Sequence, residues 1–198
     1  GSGQFAHIKG RLSPIESDSE DSFEFEEHIV GGRIPKQYIP AIEKGFRDSL
    51  GKGPVAEYPV VGTRIDLEDG SFHEVDSSEI SFKVAGSMAF TDAAKKAEPV
   101  LLEPIMEVEV RVPEQYMGEV NRDLNTRRGR LLGMDAKDGQ QILSAHVPQA
   151  ELFTYATELR SITGGRGTFS AKLAQYEEVP AHVAQKVIDE HKAEEEEA

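Results

Sequence analysis

His73 is the residue whose surroundings most invite chemistry. It stands in the run Asp69-Gly-Ser-Phe-His-Glu-Val-Asp-Ser-Ser-Glu79. Asp69-Gly70 reads as a tight turn, because glycine supplies the positive φ that hairpin turns need. Asp76 and Glu79 have the spacing of a capping box, in which each side chain satisfies a free amide at a helix start. His73 is thereby placed in a short loop between turn and helix, where side chains are presented to partners. From spacing alone the imidazole has two readings: a local hydrogen bond within the loop, or a contact with a partner. A carboxylate beside it would make an acid–base dyad, but no convergent pocket is readable, and catalysis on this chain is not expected.

A second feature is Arg160-Ser-Ile-Thr-Gly-Gly-Arg-Gly167. Glycines let the backbone approach a phosphate, and arginine grips one with a forked pair of hydrogen bonds. A glycine helix cap followed by a turn accounts for the same residues without a ligand, so cap alone and cap plus RNA contact both stand. Arg122, Arg127, Arg128 and Arg130 cluster at another helix end, where positive charge meets the helix dipole favourably. Gly51-Lys-Gly53 lacks the spacing of a nucleotide phosphate loop, and no Gly-x-Gly-x-x-Gly joins a strand to a helix. The six histidines show no metal-ligand spacing, and the absence of cysteine removes disulfides and cysteine zinc sites.

The 198 residues suffice for one or two domains, and a hydrophobic fraction of 38% beside 29% charged residues fits a soluble globular chain. The net charge of −14 argues against broad, non-specific nucleic-acid binding. The charge is uneven: residues 16 to 27 hold seven acids and no base, and residues 189 to 198 have a net charge of −5. Such runs read as solvated loops or tails. Without them the chain is near neutral and has room for local basic patches. No apolar run reaches membrane-spanning length and no signal peptide is visible, so a cytoplasmic protein without a membrane partner is expected. The first residue, Gly1 rather than methionine, points to a fragment.

The elements that must position these loops fall into two parts, divided near Glu98-Pro-Val-Leu-Leu-Glu-Pro104, where two prolines favour an extended connection. In the first part, Gln4 to Gly10, Phe23 to Val30 and Val55 to Leu67 read as strands. A helix follows Pro35, with Ile39, Ile42, Phe46 and Leu50 on one face, and another runs from about Ser77 to Ala97. Ile80, Val84 and Met88, with Phe82, Ala85 and Ala89, give the latter a broad apolar face toward a sheet. This is a small α+β domain. The second part reads as a strand (Pro104 to Val112) and a helix to about Arg128 with Gly129 at its cap. Two strands follow around an Asp138-Gly139 turn, then a helix (Gln149 to Ile162) capped by Gly164-Gly165, and a last strand (Thr168 to Tyr176). The order βαββαβ is that of a ferredoxin-like domain. A terminal helix from Ala181 leads into the acidic tail.

Several long runs resemble the elongation factor G family, nearly end to end. Gly31-Gly-Arg-Ile-Pro-Lys-Gln-Tyr-Ile-Pro-Ala41 is similar to the family's Gly-Gly-Val-Ile-Pro-Lys-Glu-Tyr-Ile-Pro-Ala stretch. The segment Asp69 to Phe90 resembles its Gly-Ser-Tyr-His-Asp-Val-Asp-Ser-Ser-Glu run and helix. Pro99-Val-Leu-Leu-Glu-Pro-Ile-Met106 is close to the join between domains IV and V. Asp123-Leu-Asn-Thr-Arg-Arg-Gly129 and Tyr155-Ala-Thr-Glu-Leu-Arg-Ser161 match domain V motifs. Thr126 stands where an arginine is usual, and Thr154 where a glycine is.

The resemblance implies an incomplete, ribosomal-protein-S5-like α+β domain IV at 1–99, a ferredoxin-like domain V at 100–180, and a C-terminal helix and acidic tail at 181–198. It implies a ribosome-binding piece of a GTPase that promotes tRNA–mRNA translocation in protein synthesis; the same domains in a ribosome-protection or recycling paralogue are the alternative. GTP and Mg would belong to family domains outside this sequence, so the chain itself is expected to hold no cofactor and to hydrolyse nothing. A decoding-site tip is implied at Gly1, Gly3, Gln4, Asp69, Gly70, Ser71 and His73, facing the small subunit and the tRNA–mRNA duplex. Ribosomal RNA contacts near the stalk base of the large subunit are implied at Arg160, Thr163, Gly164, Gly165 and Arg166.

Overall fold

The computed structural model describes residues 3–15 and 23–197. Gly1 and the acidic stretch 16–22, expected as a loop, lie outside the described residues. The chain divides into two units, one comprising Gly1–Leu101 with Pro180–Ala198, the other Leu102–Val179.

In the first unit, alternation builds a three-stranded sheet of β1 (His7–Pro14), β2 (Phe23–Glu27) and β3 (Thr63–Ser71). β3 is central, antiparallel to β1 and parallel to β2. Ile65 and Leu67 of β3 point inward, while Arg64 and Asp66 take the other face, as a period of two requires. A 3-10 turn (Lys36–Tyr38) runs into α1 (Ile39–Ser49), and α2 (Glu79–Lys96) follows β3. Ile42 and Phe46 of α1 meet Phe82, Phe90 and Ala94 of α2 in the core beside Ile65 and Leu67. Two glycines set how closely the helices approach. A Cβ on Gly45 would lie 2.2 Å from the Lys83 carbonyl oxygen, and one on Gly86 would lie 2.6 Å from that of Ile42.

Three sequence expectations change here. Asp69-Gly70 is not a hairpin turn, because β3 runs through both residues. Gly70 is needed for close approach, since a Cβ there would lie 2.3 Å from the His7 carbonyl oxygen and 2.5 Å from Ile34. Residues 55–62 are turn and irregular backbone, with Ala56 and Glu57 at positive φ, and the strand begins only at Thr63. The inward face of α2 is Phe82, Gly86, Phe90 and Ala94, whereas Ile80, Val84 and Met88 are exposed. Both faces carry apolar residues at helical spacing, so spacing alone does not choose between them.

The second unit runs β4 (Leu102–Val112), α3 (Met117–Thr126), β5 (Arg130–Lys137), β6 (Gln140–Pro148), α4 (Tyr155–Thr163) and β7 (Thr168–Glu178). The sheet order β5-β6-β4-β7, antiparallel throughout, completes the expected ferredoxin-like βαββαβ pattern. Val108, Val110 and Val112 of β4, with Leu143, Ala145 and Val147 of β6, face Val120 and Leu124 of α3 and Tyr155 and Leu159 of α4. Each helix is entered through a 3-10 turn behind a proline, Pro113 and Pro148. At the end of α3 the left-handed residue is Arg128 (φ 56°) rather than Gly129. Gly129 lets the Leu124 carbonyl pack close, 2.5 Å from where a Cβ would be. Gly164 ends α4 in the left-handed conformation expected of it. Helix α5 (Ala181–Glu197) belongs to the first unit. No helix among the described residues is long and apolar enough to cross a membrane.

Candidate functional site

The His73 loop is closed by hydrogen bonds from three directions. Its helix start is capped by Ser78, not by the expected Asp76 and Glu79. The Ser78 hydroxyl accepts from the Ser81 amide at 3.1 Å, and the Ser81 hydroxyl accepts from the Ser78 amide at 2.8 Å. Serine can serve at both positions because its short hydroxyl reaches the backbone without strain. Asp76 faces the histidine instead, its Oδ2 3.3 Å from His73 Nδ1. The Ser77 hydroxyl accepts from the His73 amide at 2.9 Å and donates to the Phe5 carbonyl at 2.8 Å.

That last bond ties the loop to the N-terminal segment. The Phe5 amide donates to the Asp76 carbonyl at 2.9 Å, and the Phe5 ring meets the His73 ring edge-on at 6.5 Å. A Cβ on Gly3 would lie 3.3 Å from the Asp76 side chain. Gly3 is thus brought beside Asp76 of the loop, Gln4 next to it is exposed, and Ser71 reaches His7 Nδ1 at 3.3 Å. Asp69 pairs with Arg33 at 3.0 Å and accepts from the Gly70 amide at 2.8 Å, while Gly70 is buried in the sheet.

The imidazole's Nδ1 is turned into its own loop. His73 Nδ1 accepts from the amides of Val75 (3.3 Å) and Asp76 (3.2 Å). In the neutral ring these two bonds favour the proton on Nε2, while the Asp76 carboxylate 3.3 Å from Nδ1 favours a second proton there; either form keeps an N–H at Nε2. The side chain is 56% exposed, and Nε2 has no partner among the described residues. The loop therefore offers one N–H donor from a held ring, suited to a phosphate oxygen or a base edge.

In the second unit, the 160–167 loop is built on the end of α4. Gly165 donates its amide to the Arg160 carbonyl at 2.9 Å, closing the helix. Thr163 is fully buried: its hydroxyl donates to the Leu159 carbonyl at 2.7 Å and accepts from the Gly167 amide at 2.8 Å. Its side chain holds the loop from beneath. Arg160, Gly164, Gly165 and Arg166 are exposed. Arg166 lies with its guanidinium carbon 5.0 Å from the centre of the Tyr116 ring and donates to the Tyr116 hydroxyl. Tyr116 is a member of this site that sequence reasoning missed, since the two residues are 50 positions apart and no local pattern joins them.

In the other arginine cluster Arg122 is exposed, and the remaining three are structural. Arg127 binds Asp123 at 2.8 Å and the Glu151 carbonyl at 2.7 Å, and lies over the Tyr155 ring at 4.9 Å. Arg128 grips Glu103 with two bonds of 2.6 and 2.9 Å, and Arg130 pairs with Glu177 at 2.7 Å. These guanidinium groups are held by acids, which leaves less of them for an outside anion.

Among the described residues, two groups have metal-ligand types within reach of one another: Glu26, His28 and Asp66, and Glu57, His191 and Glu195. Arg64 already bridges the first, 2.7 Å from Glu26 and 2.9 Å from Asp66, and Lys52 pairs with Glu57 in the second. A cation would have to displace a basic side chain at either place. An apolar cavity of about 60 Å³, lined by core residues including Leu12, Phe46 and Phe90, includes none of the loop residues.

Comparisons with known proteins bear on both units. Residues 1–98 match the family model "Elongation factor G, domain IV", and residues 100–187 match "Elongation factor G C-terminus". The chain is 58% identical over 195 residues to elongation factor G of Rhodopirellula baltica, and 54% identical over 193 residues to that of Aquifex pyrophilus. Each alignment covers 98% of this chain but only 28% and 27% of the relative's own length. A crystal structure of a protein from Thermus thermophilus is 40% identical and superposes with a TM-score of 0.84, over 96% of this chain and 28% of that one. With both units matched in order, the chain belongs to the elongation factor G family, of which it carries domain IV and the C-terminal domain.

Proposed function

We propose that this chain is the ribosome-engaging part of an elongation factor G-type translational GTPase, acting in protein synthesis to support movement of tRNA and mRNA. GTP and Mg would be held by segments outside this chain, and the part played here is mechanical and electrostatic. The carrying observation is that each unit presents an exposed loop, held rigid from below, with an N–H donor directed to solvent: His73 in one, Arg166 in the other. In this reading the first unit reaches the decoding site of the small subunit, with Gly3, Gln4, Ser71 and His73 against the tRNA–mRNA duplex. Arg160, Gly164, Gly165 and Arg166 meet phosphates of large-subunit RNA near the stalk base, and buried Thr163 keeps that loop in shape. The cytoplasm is where this work is done.

The test is ribosome co-sedimentation of the full-length factor across a salt series, wild type beside Arg166→Ala. The variant is expected to bind about 10- to 150-fold more weakly, the range for one charged hydrogen-bonding group. Unchanged binding at every salt concentration would contradict the phosphate contact.

A further inference from the structure

An arginine that takes a phosphate works best when its fork is already oriented, because a long flexible side chain loses rotamer freedom on binding. Arg166 is exposed and flanked by Gly165 and Gly167, so its own loop gives the side chain little to lean on. Support comes from the other end of the unit's sequence. Tyr116 closes the 3-10 turn before α3, its amide bonded to the Pro113 carbonyl at 3.0 Å. Its half-buried ring packs against the unit's buried core cluster, of which Val120 on α3 is a member. The phenol end emerges beside Gly164, where a Cβ would lie 3.9 Å from the hydroxyl, and there it meets Arg166. The ring face takes the guanidinium at 5.0 Å and the hydroxyl accepts one N–H. The remaining N–H groups have no partner among the described residues and stay available as a fork.

We propose that Tyr116 is the positioning residue of this loop, a core-anchored aromatic that fixes the Arg166 guanidinium for a phosphate oxygen pair. The proposal rests on the phosphate-contact reading of Arg166 given above. Tyr116 does not itself touch the anion. Its two contributions are separable: the ring face acts through the cation–π contact, the hydroxyl through the hydrogen bond.

The experiment is a double-mutant cycle of Tyr116→Leu and Arg166→Ala in the full-length factor, read by ribosome co-sedimentation. The Arg166 Nε–H signal of the 198-residue chain, shifted by the Tyr116 ring current, is recorded by NMR. Tyr116→Leu is expected to abolish that shift and weaken binding about three- to tenfold, with no added loss in the Arg166→Ala background. Tyr116→Phe, which keeps the ring and the fold, is expected to keep the shift and weaken binding about twofold. Wild-type binding by both Tyr116 variants beside a weakened Arg166→Ala would overturn the positioning role and leave the phosphate contact standing. Losses that multiply in the double variant would also overturn it, because Tyr116 would then act independently. Wild-type binding by Arg166→Ala would remove the phosphate contact and the proposal with it. Should Tyr116→Leu fail to fold, Tyr116→Phe decides: loss of the ring-current shift although the ring is kept, or an equal further loss of binding in the Arg166→Ala background, overturns the role.

Discussion

At the scale of single residues, the two proposed contact groups are oriented differently, the His73 ring by amides two and three residues on and Arg166 by Tyr116, 50 positions away. His73 is fixed as an Nε2–H donor by the Val75 and Asp76 amides, and its loop is held by the Phe5 carbonyl through Ser77. That a helix starts just after His73 was legible, but its cap and the element before it were not: Ser78 and Ser81 cap it where Asp76 and Glu79 were expected, and a strand runs through the expected Asp69-Gly70 turn. Nor were the clamp from Phe5 and the seat provided by Tyr116, since neither leaves a short-range pattern. Asp66 shows the same long-range logic in a structural role. Arg64 grips both of its oxygens, at 2.9 and 3.1 Å, and His28 Nε2 reaches it at 2.9 Å. The Arg64 guanidinium first, and His28 second, hold the Asp66 carboxyl down to about 2, below the ordinary carboxylate range. The sign of the linkage follows. A folded value below the unfolded one means the carboxylate stabilises the fold above about pH 4, and that contribution is lost as pH falls toward the folded value. Asp66→Asn is therefore expected to lower the urea midpoint at pH 7 and to approach wild type near pH 2. A constant difference across that range would show that the ion pair contributes nothing.

Elements were more legible than their faces. Among the described residues, seven strands and five helices with their order follow from alternation, glycine and proline, and the ferredoxin-like strand order follows from βαββαβ. The inward face of α2 did not follow, because Gly86 looks like a defect in an apolar stripe when it is the point of contact with α1. Asp69-Gly70 misled for the same reason: glycine serves close approach as well as turns, and one sequence does not separate the two. The distinction has an energetic test. Gly→Ala in a helix gains about 0.5–1 kcal/mol of propensity. At Gly118 in α3 nothing lies within 4 Å of the new Cβ, so Gly118→Ala is expected to stabilise by about that amount. At Gly86 the Cβ would sit 2.6 Å from a backbone carbonyl that no rotamer change can move. Overpacking of about 1–3 kcal/mol then outweighs the gain, and Gly86→Ala is expected to destabilise. Chemical denaturation of both variants checks the opposite signs. Equal effects would contradict the close packing of α1 on α2.

For the whole molecule, a net charge of −14 must be reconciled with the proposed ribosomal partner. Arg127, Arg128 and Arg130 do not do so, because they are held by acids. Binding then rests on a few placed groups rather than on a basic field, and its salt dependence should be shallow. Removing Arg166 is expected to reduce the slope of log K against log salt by about one. The chain also spans only 28% of its relative from Rhodopirellula baltica, so the work proposed for it is work within a larger factor. The central claim concerns what the His73 loop does there. The measurement that tests it most directly is single-turnover tRNA–mRNA translocation by the full-length factor, His73→Ala beside wild type, with ribosome binding recorded in parallel. Normal binding with translocation slowed about tenfold or more is the predicted result, the size of one lost donor in a transition state. Wild-type translocation by the variant would contradict the account and leave His73 as a loop residue that only closes its own turn.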